Sequence, residues 1–183
     1  AHPHVMIDTR HFDHPFVDTL LDHLSDLDDE DLSEVVDGLC IQGENFQALN
    51  LLRERFKEKV DCVYIDPPYN TGNDGFLYKD TYRHSSWMSM MADRLSLTRS
   101  LMPEESVVFI SNDDYESNRL RTLLDSIFGE LNFIANAIWQ KVYAPKNSAK
   151  HFSDDHEYLL TYANNAEKWR PNLLPRSEKA LEK

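Results

Sequence analysis

The sequence predicts an α/β domain with a doubly wound sheet. Short apolar runs alternate along the chain with segments whose apolar residues recur at helical spacing, which is typical of that class. The runs 60–65 and 106–111 are followed by Asp66 and, after one asparagine, Asp113. Because the carboxyl ends of neighbouring parallel strands meet at one rim of such a sheet, we expect both acids there. The length of 183 residues suits one domain with a sizeable core.

The N-terminal half supplies a helix, a strand, a second helix and the central strand. Residues 16–27 carry an apolar stripe at helical spacing, and the short apolar run 39–42 predicts a strand. Asn45 stands where it can cap the next helix, whose apolar face runs over residues 46–56. The run 60–65 predicts a buried central strand.

The C-terminal half continues the alternation. A long polar and aromatic loop covers residues 70–84, and loops of this length in compact domains are usually functional or disordered. The remaining predicted elements are a helix capped by Ser85 or Ser86 and running to Met102, a strand over 106–111, a helix over 115–128 closed by Gly129, and strands over 133–140 and 158–162.

The most informative stretch is the turn at 66–69, which reads Asp-Pro-Pro-Tyr and follows the central strand. Two consecutive prolines stiffen the backbone and have no N–H groups, so Asp66 is held in extended geometry. The Asp66 carboxylate and the Pro67 carbonyl are two acceptors that match the two N–H bonds of an amine on a planar ring. Tyr69 supplies a ring that can stack on it. The plain alternative is an Asp-Pro turn with a surface tyrosine.

The sequence around this turn resembles a known family. Residues 66–72 read DPPYNTG. Further matching segments occur in the family's order, one before this motif (37–52) and three after it (109–114, 127–134 and 156–160, the last reading HEYLL). The chain thereby resembles the amino-methylating DNA methyltransferases of the permuted DPPY class, close to the modification subunits of type III restriction-modification systems. The resemblance covers roughly residues 8–163.

The resemblance implies a Rossmann-like fold and methylation of an exocyclic base amine in DNA, with S-adenosylmethionine as the methyl donor. By matching motif, Asp66 and the Pro67 carbonyl accept from the amine, Pro68 sets the turn, and Tyr69 stacks on a base extruded from the duplex. Asp at the first motif position favours adenine, because cytosine-directed relatives more often show Ser there. Methylation of cytosine, and a noncatalytic module that binds DNA or a restriction subunit, remain alternatives.

The predicted cofactor contacts are Glu44, Asn45 and Asp66. Many relatives carry Gly-Asp where this chain has Gly43-Glu44, and Glu44 equally suits an exposed acid at a helix start. The family's main cofactor loop contains a GxG pattern, which none of the five glycines makes. We therefore expect part of a longer or split enzyme, with weak cofactor binding by this chain alone.

We expect three parts: an acidic N-terminal arm or helix (1–38), a catalytic half (39–163), and a tail or the start of a target-recognition segment (164–183). Residues 1–38 hold eleven acids and Arg10, a charge of −10 out of the total of −13. The simplest explanation is that these acidic residues form a helix face exposed to solvent or a mobile arm. The alternative is that they contact a basic partner or mimic the charge of DNA.

The remaining expectations concern thiols, metals and partners. Cys40 and Cys62 are expected to be buried free thiols. The four histidines within residues 1–14 are expected to be exposed and to bind no metal. No apolar run reaches the ~18 residues of a membrane span, so a cytoplasmic protein is expected. DNA is the expected partner, with a restriction subunit and a second copy of the chain as further candidates.

Overall fold

The computed structural model describes residues 11–28, 38–72, 81–144, 151–152 and 155–173, with backbone only over 24–28. The chain divides into two compact units, residues 1–42 and 43–183. The acidic cluster at 29–37, the first two histidines and most of the predicted tail lie outside the described residues. None of the helices in the described ranges combines the length and apolarity that a membrane crossing requires.

The first unit contains helix α1, His14–Asp28, which confirms the helix predicted from its apolar stripe. Asp13 starts the helix, because its Oδ1 accepts from the Phe16 backbone N–H at 3.0 Å. The strand predicted at residues 39–42 is wrong: these residues belong to none of the four strands of the described sheet. Leu39 is 67% exposed. An apolar run becomes a strand only where a neighbouring strand satisfies its backbone groups.

The second unit is built on a four-stranded sheet in the order β1-β2-β4-β3. Its strands are β1 (Cys62–Ile65), β2 (Val107–Asn112), β3 (Phe133–Gln140) and β4 (His156–Ala163). β1 and β2 are parallel, with Ile65 beside Ile110, whereas β4 runs antiparallel to both β2 and β3. The predicted strands at 60–65, 106–111, 133–140 and 158–162 are confirmed, and the two parallel strands bring Asp66 and Asp113 to one rim.

Among the described residues of the second unit, three α-helices accompany the sheet: α2 (Asn45–Leu52), α3 (His84–Leu101) and α4 (Ser117–Phe128). Helices α3 and α4 cover one sheet face, and burial of each large apolar side chain there stabilises the fold by about 1.5–3 kcal/mol. The core side chains are Trp87, Met91 and Leu95 of α3, Leu120, Leu124 and Phe128 of α4, and Val108, Ile110, Leu160 and Tyr162 of the sheet.

The opposite face of the sheet is far more exposed. Tyr64 is 62% exposed and Trp139 is 67% exposed, whereas Val108 and Ile110, on the helix side, are fully buried.

The prediction that both cysteines are buried is wrong, since Cys40 and Cys62 are free and exposed. Cys62 alternates with Val63 along β1 and therefore points away from the helices.

The helix ends differ from the sequence prediction in two places. Glu44, not Asn45, caps α2 by accepting from the Gln47 backbone N–H at 3.2 Å. Helix α3 begins at His84, before the predicted serine caps, and its N-cap residue makes no side-chain cap. The predicted end of α4 at Gly129 is confirmed; its φ of 94° lies in the region that favours glycine.

Candidate active site

A cavity of about 270 Å³ opens at the rim where β1 ends. It lies on the exposed side of the sheet and reaches from the Asp-Pro-Pro-Tyr turn to the start of β4. The residues that line it are Tyr64, Asp66, Tyr69, Ser111, Trp139, Glu157, Tyr158 and Leu159. The structure thus places Asp66 and Tyr69, two of the predicted site residues, on one cavity.

The turn is seated on the helix core. Asp66 is exposed directly after β1, and the two prolines behind it are half-buried. The indole Nε1 of Trp87, a fully buried residue of α3, donates to the Pro68 carbonyl oxygen at 2.8 Å. Asn70, on the other side of the turn, has a φ of 64° and is 3% exposed. The turn therefore has little freedom to move relative to the core.

Tyr69 closes one side of the cavity. Its hydroxyl donates to a carboxylate oxygen of Glu157 at 3.4 Å. Desolvation raises the pKa of Tyr69 well above its ordinary value, and the negative charges of Asp66 and Glu157 add to the effect. The side chain is therefore a neutral phenol at physiological pH, with an apolar ring beside two carboxylates.

The sheet builds the other walls. Tyr64 and Ser111, on neighbouring strands, share a hydrogen bond of 2.8 Å between their hydroxyl oxygens. Trp139 pairs with Glu157 in the register of β3 with β4. The Glu157 carboxylate also lies 3.5 Å from the Lys141 ammonium. The sequence marks HEYLL as a motif but does not place Glu157, Trp139 or Ser111 at the site.

Glu44 and Asn45 do not line this cavity. The guanidinium of Arg94, in α3, bonds to the Glu44 carboxylate, and its Nε donates to Asn45 Oδ1 at 2.6 Å. Desolvation is the largest single influence on the pKa of Glu44 and acts upward, but the hydrogen bonds from Arg94 and the Gln47 backbone N–H, together with the charge of Arg94, lower this pKa overall. The side chains of Glu44 and Asn45 thus hold the start of α2 against α3. Their contact with a cofactor stays a prediction.

Replacing Trp87 with phenylalanine is expected to lower the free energy of unfolding by about 1–3 kcal/mol, because the Pro68 carbonyl loses its partner while an aromatic ring remains in the core. Chemical denaturation measures the change. Trp139→Phe is the matched control, since Trp139 is 67% exposed and its replacement should leave stability unaltered. Equal stability of Trp87→Phe and the wild type would show that the indole does not anchor the turn.

Known proteins similar to this chain are DNA methylases, the class that the sequence motifs resemble. The sequence model of a family described as DNA methylase matches residues 60–183. The chain is 38% identical over 136 residues to the probable type III restriction-modification enzyme HindVI Mod subunit of Haemophilus influenzae, a match that covers 72% of this chain and 18% of that protein. It is 32% identical over 169 residues to the EcoP15I Mod subunit of Escherichia coli, covering 74% and 26%.

The fold has solved counterparts. The crystal structure of an M1.HpyAVI–SAM complex superposes with a TM-score of 0.52 at 17% identity, covering 75% of this chain and 60% of that one. This likeness confirms the Rossmann-like α/β class predicted from the sequence. The chain spans about a fifth to a quarter of the length of the two Mod subunits. The family match covers well over half of the chain and includes the Asp-Pro-Pro-Tyr turn, so the protein belongs to the DNA methylase family.

Proposed function

We propose that this chain carries the catalytic part of an enzyme that methylates the exocyclic amine of adenine in DNA, with S-adenosylmethionine as the methyl donor. The observation that carries the proposal is the cavity at the end of β1, which both Asp66 and Tyr69 line. A carboxylate and an aromatic ring on one pocket, at the carboxyl end of a parallel strand, suit a planar base with an amino group.

The turn supplies the acceptors that the amine needs. The amine of adenine is a weak nucleophile because its lone pair is delocalised into the ring. When the Asp66 carboxylate and the Pro67 carbonyl each accept one N–H, electron density returns to the nitrogen. The Pro68 carbonyl is already bonded to Trp87, which leaves Pro67 as the second acceptor. Acceptors held rigidly before the reaction need no reorganisation during it.

The aromatic walls receive the base. An adenine must leave the duplex stack at a cost of a few kcal/mol before its amine reaches Asp66. Stacking on the Tyr69 ring offsets that cost by about 1–3 kcal/mol. Trp139, which also lines the cavity and is 67% exposed, offers a second ring to the same base.

The lining of the cavity supports S-adenosylmethionine as the methyl donor. S-adenosylmethionine supplies, when bound, an activated methyl group on a sulfonium cation. Asp66 and Glu157 place two carboxylates on one cavity, and the rings of Tyr64, Tyr69 and Trp139 add aromatic faces, both of which favour a cation. Asp66 would lie beside the donor, and Glu44 and Asn45 remain the predicted contacts elsewhere in the chain.

The partners follow from the relatives. Two of them are named Mod subunits of type III restriction-modification enzymes. We therefore propose a DNA-bound modification subunit that associates with a restriction subunit. A cytoplasmic location and association with a second copy of the chain stay predictions from the sequence. Cytosine is the second candidate base, because the matching family is named for both N6 and N4 methyl transfer.

The test is methyl transfer by the natural gene product that contains this chain, at its full length. It is incubated with S-adenosylmethionine carrying a radiolabelled methyl group and with unmodified DNA, and the nucleosides are then separated. We expect the label in N6-methyladenine. Label in N4-methylcytosine would replace adenine by cytosine as the substrate, and DNA already modified by the same enzyme is the control that should take up no label. Absence of label from unmodified DNA would refute the proposal.

A further inference from the structure

Glu116 is a fully buried carboxylate at the start of α4, outside the cavity. We propose that it is a positioning residue for methyl transfer, which holds the Asp-Pro-Pro-Tyr turn through Asn70; this inference rests on the proposed function. Glu116 Oε1 accepts from Asn70 Nδ2 at 2.7 Å and lies 2.6 Å from His84 Nδ1. Its Oε2 accepts from Arg119 Nη1 at 3.3 Å.

Asn70 connects Glu116 to the turn, because it bonds Glu116 and directly follows Tyr69 in the chain. Its Nδ2 donates to Glu116, and its Oδ1 accepts from the Tyr82 backbone N–H at 2.6 Å. Both ends of the amide are therefore used, one as donor and one as acceptor. The φ of 64° also suits asparagine, which tolerates the left-handed region better than most residues. An aspartate at this position would set a second carboxylate against Glu116.

The position of Glu116 points to geometry rather than stability as its role. Burial of a carboxylate costs several kcal/mol before its partners offset that cost, and an apolar side chain of similar size often stabilises a core at least as well. Besides Arg119, Glu116 bonds Asn70 and lies beside His84, and it thereby links the end of the turn to the start of α3. The Trp87–Pro68 bond fixes the turn from α3, and Glu116 fixes its far end from α4.

The test is a polarity swap in the full-length gene product. Asn70→Asp places two carboxylates in contact and should lower kcat about 100-fold, the effect of displacing reacting groups by about 1 Å. In the double variant Asn70→Asp/Glu116→Gln, the introduced amide N–H₂ donates to the introduced carboxylate and to His84 Nδ1, which accepts when the ring is protonated on Nε2. The amide oxygen still accepts from Arg119, and the second carboxylate oxygen still accepts from the Tyr82 N–H. We expect the double variant to regain most of the lost kcat.

Asp125→Asn is the matched control for a purely structural effect. Asp125 also accepts partly buried hydrogen bonds, from Tyr162 at 2.6 Å and Arg121 at 3.1 Å, but it does not contact the turn. Its replacement should lower Tm without changing kcat. Where Asn70→Asp alone does not fold, Glu116→Leu takes its place, because it removes the acceptor of Asn70 and fills a similar volume. A folded Glu116→Leu with a lowered kcat supports the positioning role, and one with the wild-type kcat refutes it.

The outcomes separate the two claims. A wild-type protein that transfers methyl groups, together with Asn70→Asp that lowers Tm but not kcat, refutes the positioning role alone. A double variant whose kcat stays at the level of Asn70→Asp refutes it as well. A wild-type protein that transfers no methyl group to DNA overturns the proposed function, and the role of Glu116 with it.

Discussion

Replacing Asp66 with alanine is expected to abolish methyl transfer and to leave the fold intact. Asp66 is exposed at the end of β1 and contributes nothing to the helix core, so stability should change by no more than about 0.5 kcal/mol. Removing one preorganised group from an active site typically lowers kcat about 100- to 1,000-fold, and here the amine also loses the acceptor that activates it. Radiolabelled methyl transfer and thermal unfolding, measured on the same preparations, check both halves of the prediction.

Asp66→Asn separates charge from shape. The asparagine retains one acceptor oxygen but no negative charge, so its kcat should fall between those of the wild type and Asp66→Ala. Asp113→Asn is the matched control: it neutralises an acid at the same rim that does not line the cavity, and the amide oxygen can still accept from the Tyr115 N–H. Its kcat should stay near that of the wild type. Full activity in Asp66→Ala would remove Asp66 from the mechanism.

Replacing Tyr69 with alanine should weaken productive DNA binding by about 1–3 kcal/mol, which corresponds to about a 5- to 150-fold lower kcat/KM for DNA. The physical reason is the loss of the ring on which an extruded base stacks. Tyr69→Phe should retain most activity, because it keeps the ring and removes only the hydroxyl, whose hydrogen bond to Glu157 is long at 3.4 Å. Steady-state kinetics over a range of DNA concentrations gives both values.

The pKa of Tyr69 adds a control to this comparison. Because desolvation and the neighbouring carboxylates raise it, the hydroxyl stays protonated throughout the neutral pH range. The ratio of wild-type to Tyr69→Phe activity should therefore be constant from about pH 6 to pH 9, below the ordinary tyrosine pKa of about 10. If Tyr69→Phe is as impaired as Tyr69→Ala, the hydroxyl rather than the ring is the functional group.

The parts of the site that are local in sequence can be predicted. The apolar run before Asp66 defines a strand and two prolines define where it ends, so the sequence predicts the Asp-Pro-Pro-Tyr turn at a strand end, where the structure has it. The shared rim of Asp66 and Asp113 follows from the alternation of strands and helices, which makes neighbouring strands parallel.

The parts that depend on strand direction cannot be predicted in this way. Because β4 runs antiparallel to β2, its first residues, including Glu157, lie beside the last residues of β2. In a wholly parallel sheet the same residues would lie at the far end, ~25 Å away for an eight-residue strand. The buried partners of the turn escape prediction for another reason: in sequence, a Trp and a Glu in amphipathic helices look like an ordinary core residue and an ordinary surface acid.

The bond between Trp87 and Pro68 has a consequence for genetics. Met91 and Leu95 lie one and two turns further along α3 and pack in the same core as Trp87. A substitution at either position is expected to shift the helix that carries the indole, and the indole holds the Asp-Pro-Pro-Tyr turn through the Pro68 carbonyl. Under the proposed function, genetic screens for variants that lose DNA modification should therefore yield substitutions of buried α3 residues that do not line the cavity.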